Sequence, residues 1–300
     1  MTRHVLDLAD VDRDGLETIL NLAVREPSLL GSPLGGRGVA LIFEKPSNRT
    51  RHSTEMAVVQ LGGHPISTRG DEIGLDIREP VEDVVRVLAG YHAVVAARVF
   101  DHHILTRMTS VSTVPVVNLL SDRSHPLQAV ADVLTMKREF GSLANRAVCW
   151  IGDFNNVARS LGEACAMQGA SIRLACPEGH GADDADMQRM LDLGAASVEQ
   201  FRNPLIAAAG CIAVHTDTWT SMGQEAEASS RSMVFAGFTV DERVMAVAHP
   251  SAVFMHCLPA HRGEEVTAEV IDGPSSRVVQ QAHHRLDAAR AVLAWILGVG

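Results

Sequence analysis

Short hydrophobic runs alternate with longer amphipathic stretches along nearly the whole chain. The runs are rich in β-branched residues and bounded by Gly or Pro, a pattern typical of buried strands. Alternation of such strands with helices favours an α/β fold with parallel sheets. Strands are predicted over residues 38–43, 93–97, 115–119, 147–152, 171–175, 211–215 and 252–256, and helices over 51–61, 81–91, 126–140, 156–168, 185–193 and 285–297.

A break in this pattern predicts two domains. The segment GSLANR follows the predicted helix 126–140, and the strand pattern restarts directly after it. We therefore expect one domain over residues 1–140 and a second over 141–282, which the length of 300 residues allows. The last stretch, 283–300, is strongly apolar on one face and is expected to pack back onto the first domain.

Composition narrows the class of protein. A formal net charge of -10 argues against nucleic-acid binding, so any bound anion needs local arginines. The N-terminus lacks the apolar run of a signal peptide, and no stretch approaches about 18 apolar residues. The 14 scattered histidines show no metal motif, so we expect no metal. Five cysteines without metal-finger spacing fit a reducing, cytoplasmic setting: Cys149, Cys165, Cys176, Cys211 and Cys257.

The first candidate motif is FEKPSNRTRHSTEMA, in which a predicted strand ends and a helix begins. Ser47, Asn48, Arg49 and Thr50 lie at this junction, where free backbone N–H groups and the helix dipole favour an anion. Two hydroxyls and a guanidinium there suit a phosphate. A helix cap with a solvated arginine is the structural alternative, and the spacing alone does not separate the two.

Two further motifs each begin a predicted helix. In SHPLQAVADV, His125 and Gln128 share one face and suit a carbonyl oxygen and an amide NH2, although capping or packing is the commoner role of such a histidine. In WIGDFNNVARSL, Asn155 and Asn156 either cap the helix or bind a ligand carboxylate or amine. With Gly152 as the only glycine, a dinucleotide site is poorly supported.

The last two motifs, HTDTWTSMGQE and FMHCLPAHRGEEV, each follow a predicted strand. The carboxyl ends of parallel strands line the ligand crevice in open sheets. Asp217 is suited to pair with a cationic amine and Cys257 to accept or relay its proton, although a turn residue and a small core residue are equally good interpretations. For Arg98 and Arg285, surface salt bridges are the default expectation.

Together and in this order, these motifs resemble the aspartate/ornithine carbamoyltransferase family over nearly the full length. DTWTSMGQE and HCLPAHRGEEVT are similar to its ornithine branch in particular. The resemblance implies two doubly wound parallel-sheet α/β domains, one for carbamoyl phosphate and one for the amino acid, with the active site in the cleft. It also implies a homotrimer or a multiple of trimers, and no metal or organic cofactor.

The resemblance also implies roles for individual residues. Carbamoyl phosphate would be held by Ser47, Asn48, Arg49, Thr50, Arg98, His125, Gln128, Cys257, Leu258 and Arg285. Ornithine would be held by Asn156, Asp217, Ser221 and Met222. The catalytic set would be Arg98, His125, Asp217 and Cys257.

The chain departs from the family pattern at several positions. Asn48 stands where the phosphate signature has Thr or Gly, and His284 stands where Asn is usual. In the loop GDEIGLDIREP, Gly74 replaces a Gln that reaches a neighbouring subunit's site, and Asp76-Ile77 replaces a Gly-basic pair. Alternatives to ornithine transfer are therefore a carbamoyltransferase for another amine, such as lysine, putrescine or a specialised-metabolite diamino acid, and a non-catalytic regulatory relative.

Overall fold

The computed structural model of the chain describes residues 2–220 and 225–300. The chain forms two compact units, one of Met1–Leu134 with His284–Gly300 and the other of Thr135–His283. The division falls inside two helices, Pro126–Phe140 and Val278–Ile296.

The first unit contains a four-stranded parallel sheet. Its strands are β1 (Gly38–Phe43), β2 (His64–Arg69), β3 (His92–Arg98) and β4 (Val116–Leu120), in the order β2-β1-β3-β4. The helices up to the division are α1 (Asp12–Ala23), α2 (Arg49–Gln60), α3 (Gly70–Ile73), α4 (Val81–Tyr91), α5 (His102–Val111) and α6 (Pro126–Phe140).

The second unit contains a five-stranded parallel sheet. Its strands are β5 (Ala147–Ile151), β6 (Ser171–Ala175), β7 (Ser197–Phe201), β8 (Ala213–Thr216) and β9 (Val253–His256), in the order β7-β6-β5-β8-β9. The later helices are α7 (Asn156–Met167), α8 (Asp184–Asp192), α9 (Pro204–Ala208), α10 (Ala228–Phe235), α11 (Glu242–Val247), α12 (Ala268–Ile271) and α13 (Val278–Ile296). The predicted fold class, α/β with two parallel sheets, is confirmed.

The central strands are the ones that the hydrophobic pattern predicts. β1 is buried along nearly its whole length, as a strand between two others requires. The sequence missed β2 and β7, which lie at sheet edges and whose residues are exposed or half-buried. The other two edge strands, β4 and β9, are buried along nearly their whole length and were predicted. β2 and β7 have no fully buried position, so their sequences carry little hydrophobic signal.

Each sheet changes its direction of winding once. In the first sheet the chain goes from β1 outward to β2 and then returns to the other side for β3 and β4. In the second it goes from β5 to β6 and β7 and returns for β8 and β9. Ligands of open parallel sheets bind beyond the carboxyl ends of the two strands that flank such a point. These are the ends of β1 and β3 in one unit and of β5 and β8 in the other.

Each unit has its own apolar core. In the first, Val85, Val95 and Leu105 are fully buried between the sheet and helices α4 and α5. In the second, Ile151 and Phe254 lie fully buried in the equivalent cluster. Within the described ranges, 2–220 and 225–300, the structure contains no helix with the length and apolar character needed to cross a membrane.

Replacing Leu105 with alanine is predicted to destabilise the first unit by about 2–5 kcal/mol, because it leaves a cavity in a fully buried cluster. Leu29→Ala is the matched control, since Leu29 is 72% exposed. Urea unfolding followed by circular dichroism should shift the midpoint of the first variant only. Equal midpoints would contradict the assignment of Leu105 to the core.

Candidate active site

The carboxyl ends of β1 and β3 lie side by side in the first unit. Phe43 pairs with Arg98 in the parallel register, and the Glu44 N–H donates to the Arg98 carbonyl at 2.9 Å. The Glu44 carboxylate accepts the N–H of Phe100 at 3.0 Å, which fixes the chain beyond β3. Arg98 is buried at this end of the sheet. The strand ends therefore bring a buried guanidinium next to the segment that follows β1.

That segment carries the residues of the first predicted motif. Helix α2 begins at Arg49 with Asn48 as its N-cap, and the Asn48 side chain makes no capping bond. Thr50 is buried, Ser47 and Arg49 are half-buried, and Asn48 is exposed. The start of a helix offers free N–H groups and a partial positive charge, which suit an anion.

A buried arginine joins the first and last parts of the chain within this unit. Arg285 on α13 donates from Nη1 to Oε1 of Gln128 at 2.5 Å and from Nη2 to Oγ1 of Thr50 at 2.9 Å. Gln128 in turn donates from Nε2 to Oδ1 of Asp132 at 2.7 Å. All four side chains are at most 3% exposed. Sequence reasoning assigned no role to Asp132, which was marked only by its position four residues after Gln128 in the helix.

His125 lies in the same cationic surroundings and is almost fully buried. Burial, and then Arg285, Arg98 and Arg49, hold the pKa of His125 well below its ordinary value. Its imidazole is therefore neutral at pH 7, with one N–H to donate. A neutral donor among arginines suits a carbonyl oxygen that gains negative charge.

The surface salt bridges expected for Arg98 and Arg285 are wrong, because both arginines are buried. The last helix also begins earlier than predicted, at Val278 instead of residue 285. Its first turns are polar, so the hydrophobic pattern marked only its apolar second half. Arg285 consequently lies inside the helix and not at its start.

Lys45 is another residue that sequence reasoning passed over. Burial, followed by Arg98, lowers the pKa of Lys45, while Asp122 and Glu44 oppose this shift. Its ammonium lies 4.3 Å from the centre of the Phe100 ring. Lys45 therefore adds a further cation near Arg98, and its position inside the motif FEKPSNRTR could have indicated it.

In the second unit, the carboxyl ends of β5 and β8 bring Asn155 and Asp217 together. Asn155 caps α7, its Oδ1 accepting the N–H groups of Val157 and Ala158 at 2.9 and 3.0 Å. Its Nδ2 donates to Oδ2 of Asp217 at 3.0 Å. Asn156, which the sequence analysis favoured, is the first residue of the helix. The capping asparagine is thus the one that orients the buried carboxylate.

Cys257 contacts the same carboxylate from the end of β9. Its thiol donates to Oδ1 of Asp217 at 3.1 Å, and the Thr218 N–H donates to the same oxygen at 2.9 Å. Among the cysteines, only Cys257 is partly exposed. The structure therefore brings together a carboxylate and an accessible thiol, the two groups that the last two motifs predicted.

The backbone after Cys257 is held in an uncommon conformation. Leu258 has a φ of +61°, in the left-handed region that leucine rarely adopts. Its N–H donates to Nδ1 of His256 at 2.8 Å. Since Nδ1 is the acceptor, the proton of a neutral His256 is on Nε2, which lies 3.2 Å from Oε1 of Glu265. This fully buried pair stabilises the turn that carries Cys257.

Arg231 connects the loop after β8 to the turn after β5. Its Nε donates to the Trp219 carbonyl at 2.5 Å, and its Nη2 pairs with Asp153. Ser221 and Met222, two predicted ornithine-binding residues, lie outside the described residues.

The loop with Gly74 and Asp76-Ile77 has a defined conformation. Gly74 ends α3 with a φ of +65°, and Asp76 has a φ of +57°. Both carboxylate oxygens of Asp76 accept from Arg107, at 2.5 and 2.9 Å, and Arg107 also pairs with Glu82. Of the departures from the family pattern, Asp76 thus belongs to an ion-pair network with Arg107 and Glu82. Ile77 at the tip is 93% exposed.

Both parts of the chain are similar to domains of known proteins. Residues 3–138 match the model of the aspartate/ornithine carbamoyltransferase carbamoyl-P binding domain, and residues 144–296 match that of the Asp/Orn binding domain. The ornithine carbamoyltransferase of Thermus thermophilus is 44% identical over 99% of this chain and 97% of the relative. That of Acidothermus cellulolyticus is 43% identical over 99% and 97%.

Solved structures agree with this relationship. Ornithine carbamoyltransferase from Pyrococcus furiosus superimposes with a TM-score of 0.92 at 40% identity, covering 99% of this chain and 97% of that one. The anabolic ornithine carbamoyltransferase from Campylobacter jejuni gives a TM-score of 0.92 at 31% identity, covering 98% of each chain. With both domain models matched and identity above 40% over nearly its full length, this chain belongs to the aspartate/ornithine carbamoyltransferase family.

Proposed function

We propose that this chain is an ornithine carbamoyltransferase, which moves the carbamoyl group of carbamoyl phosphate to the side-chain amine of L-ornithine and yields L-citrulline and phosphate. The observation that carries the choice of acceptor is the Asp217 carboxylate with the Cys257 thiol 3.1 Å from it. A buried anion selects an acceptor with a cationic side chain. Aspartate would bring a second negative charge to this group and is disfavoured.

Carbamoyl phosphate is assigned to the first unit. Its phosphate is bound by Ser47, Asn48, Arg49 and Thr50 together with Arg98. The carbamoyl group is held by His125, Gln128 and Arg285, and the turn with Cys257 and Leu258 contributes to the same substrate. Support comes from the arginines that surround the helix start and from the neutral state of His125.

Ornithine is assigned to the second unit. Asp217 binds its side-chain ammonium, and Asn156, Ser221 and Met222 bind its α-amino and α-carboxylate groups. Because Asn155 already bonds both Asp217 and the start of α7, its role is to orient the carboxylate.

The reaction begins with loss of a proton from the ornithine side-chain ammonium to the Asp217 carboxylate, either directly or relayed through the Cys257 thiol, whose S–H donates to that carboxylate. The free amine attacks the carbonyl carbon, so that a C–N bond forms and the carbonyl oxygen becomes an oxyanion. Arg98, Thr50 and His125 stabilise this charge. The oxyanion then re-forms the carbonyl as the bond from carbon to the bridging oxygen breaks, and phosphate leaves with the electron pair. The attacking nitrogen gives up its second proton to the departing phosphate, which leaves the neutral ureido group.

The setting of the enzyme is also part of the proposal. All five cysteines are free, which supports a reducing, cytoplasmic compartment. A homotrimer, or a multiple of trimers, and a role in arginine biosynthesis are proposed from the family resemblance.

The purified protein is predicted to prefer L-ornithine when ornithine, lysine, putrescine, aspartate and N-acetyl-L-ornithine are offered with carbamoyl phosphate. The buried Asp217 carboxylate suits a cationic side chain and disfavours aspartate. The preference over the other amines is expected from the identity to ornithine carbamoyltransferases. Ureido product is measured for each acceptor. Turnover of another amine alone would transfer the function to that substrate, and no turnover with any would favour a regulatory relative.

Arg49→Ala is predicted to lower kcat/KM for carbamoyl phosphate about a hundredfold, because the phosphate loses a guanidinium at the helix start. Arg51→Ala is the matched control from the same helix turn, since Arg51 is exposed and pairs with Glu55. Steady-state kinetics at subsaturating carbamoyl phosphate compare the two. Similar values for both variants would argue against the phosphate assignment.

A further inference from the structure

The Asp132 carboxylate has no place in the proposed reaction, yet it is fully buried beside groups that do. It lies on α6, one helical turn after Gln128, and accepts the Gln128 Nε2–H at 2.7 Å. Gln128 is the carboxamide proposed to hold the carbamoyl group. We propose that Asp132 is a positioning residue, which fixes the orientation of the Gln128 carboxamide for carbamoyl phosphate. This inference rests on the proposed function.

A carboxamide is nearly symmetric in shape. Its oxygen and NH2 group have nearly the same shape, so packing alone does not select one orientation. Two charged neighbours make the selection here. Arg285 has only donors and faces Oε1, while the Asp132 carboxylate has only acceptors and faces Nε2.

These two contacts leave the Gln128 carboxamide able to form further hydrogen bonds to a substrate. After its contacts with Arg285 and Asp132, the Gln128 carboxamide keeps one N–H and one lone pair. A carbamoyl group carries both an NH2 and a carbonyl oxygen, so it pairs with either of these positions. Reversing the carboxamide would exchange donor and acceptor and mismatch that pairing.

Charge gives a second reason for a carboxylate at this position. Arg285, Arg98 and Arg49 all act on His125 nearby, and a buried cationic cluster is costly without anions. Asp132 supplies a negative charge close to Arg285, because both side chains bond the same Gln128 carboxamide. It therefore orients the amide and offsets part of the positive charge at once.

A double-mutant cycle tests the proposal. Asp132→Asn removes the charge and can accept or donate, so Arg285 alone remains to select the orientation of the Gln128 carboxamide. We expect kcat/KM for carbamoyl phosphate to fall about tenfold or more in the otherwise unchanged protein, and by less than about twofold in a Gln128→Ala background. A purely structural role would lower both by the same factor, which would overturn the proposal.

A second pair of variants covers a failure of Asp132→Asn to fold. Gln128→Glu places two carboxylates face to face and should abolish most activity, whereas Gln128→Glu with Asp132→Asn restores a donor and an acceptor. Partial recovery in the double variant supports the proposal, and no recovery overturns it. Glu163→Gln, at a buried carboxylate paired with Arg189 in the second unit, is the control for loss of a buried charge.

Failure of the proposed function has a different signature. In that case the unmodified protein makes no citrulline, whereas failure of the Asp132 inference leaves citrulline formation intact and changes only the cycle. An unchanged KM in Gln128→Ala alone would also overturn the inference, since Asp132 would have nothing to act through.

Discussion

The forked contact of Arg285 with Gln128 and Thr50 is the interaction on which the first unit's site depends. A guanidinium that is only 3% exposed requires partners, because a buried charge without them is strongly unfavourable. Its two N–H groups reach side chains on α6 and α2, at 2.5 and 2.9 Å. Three helices from distant parts of the sequence are thereby fixed around one point, and the groups proposed to contact the carbamoyl group keep their orientation.

The charged groups at the two candidate sites, around His125 and around Asp217, are opposite in sign. Around His125 the arginines favour a bound anion. Together with burial they keep the imidazole neutral, so its N–H can donate a hydrogen bond without adding a charge. Around Asp217 a carboxylate with an amide and a thiol donor favours a cation. The proposed reaction joins an anionic carbamoyl donor and a cationic amine, and each of these substrates carries the charge opposite to that of its proposed site.

The sequence predicted the central strands and most of the candidate residues, because both depend on local patterns. Thr50, His125 and Asp217 follow or precede recognisable strand and helix ends, which is why spacing indicates them. The edge strands β2 and β7 escaped prediction because few of their residues are buried. The burial of Arg285 was not predicted, because its partners Thr50 and Gln128 lie far from it in the sequence. The contact of Asp132 with Gln128 was not predicted, because nothing in the helix pattern distinguishes position 132.

The role of the forked Arg285 contact can be tested with the variant Arg285→Lys. Calorimetry measures the Kd of carbamoyl phosphate for this variant and for the unmodified protein. Lysine keeps the charge but loses the fork, so Kd should rise at least about tenfold. Arg290→Lys is the matched control on the same helix, because Arg290 is also buried and bonds Gln60 and Asp287 instead. The Kd of that control should be nearly unchanged. Equal affinities for both variants would contradict the role of the Arg285 contact with Gln128 and Thr50.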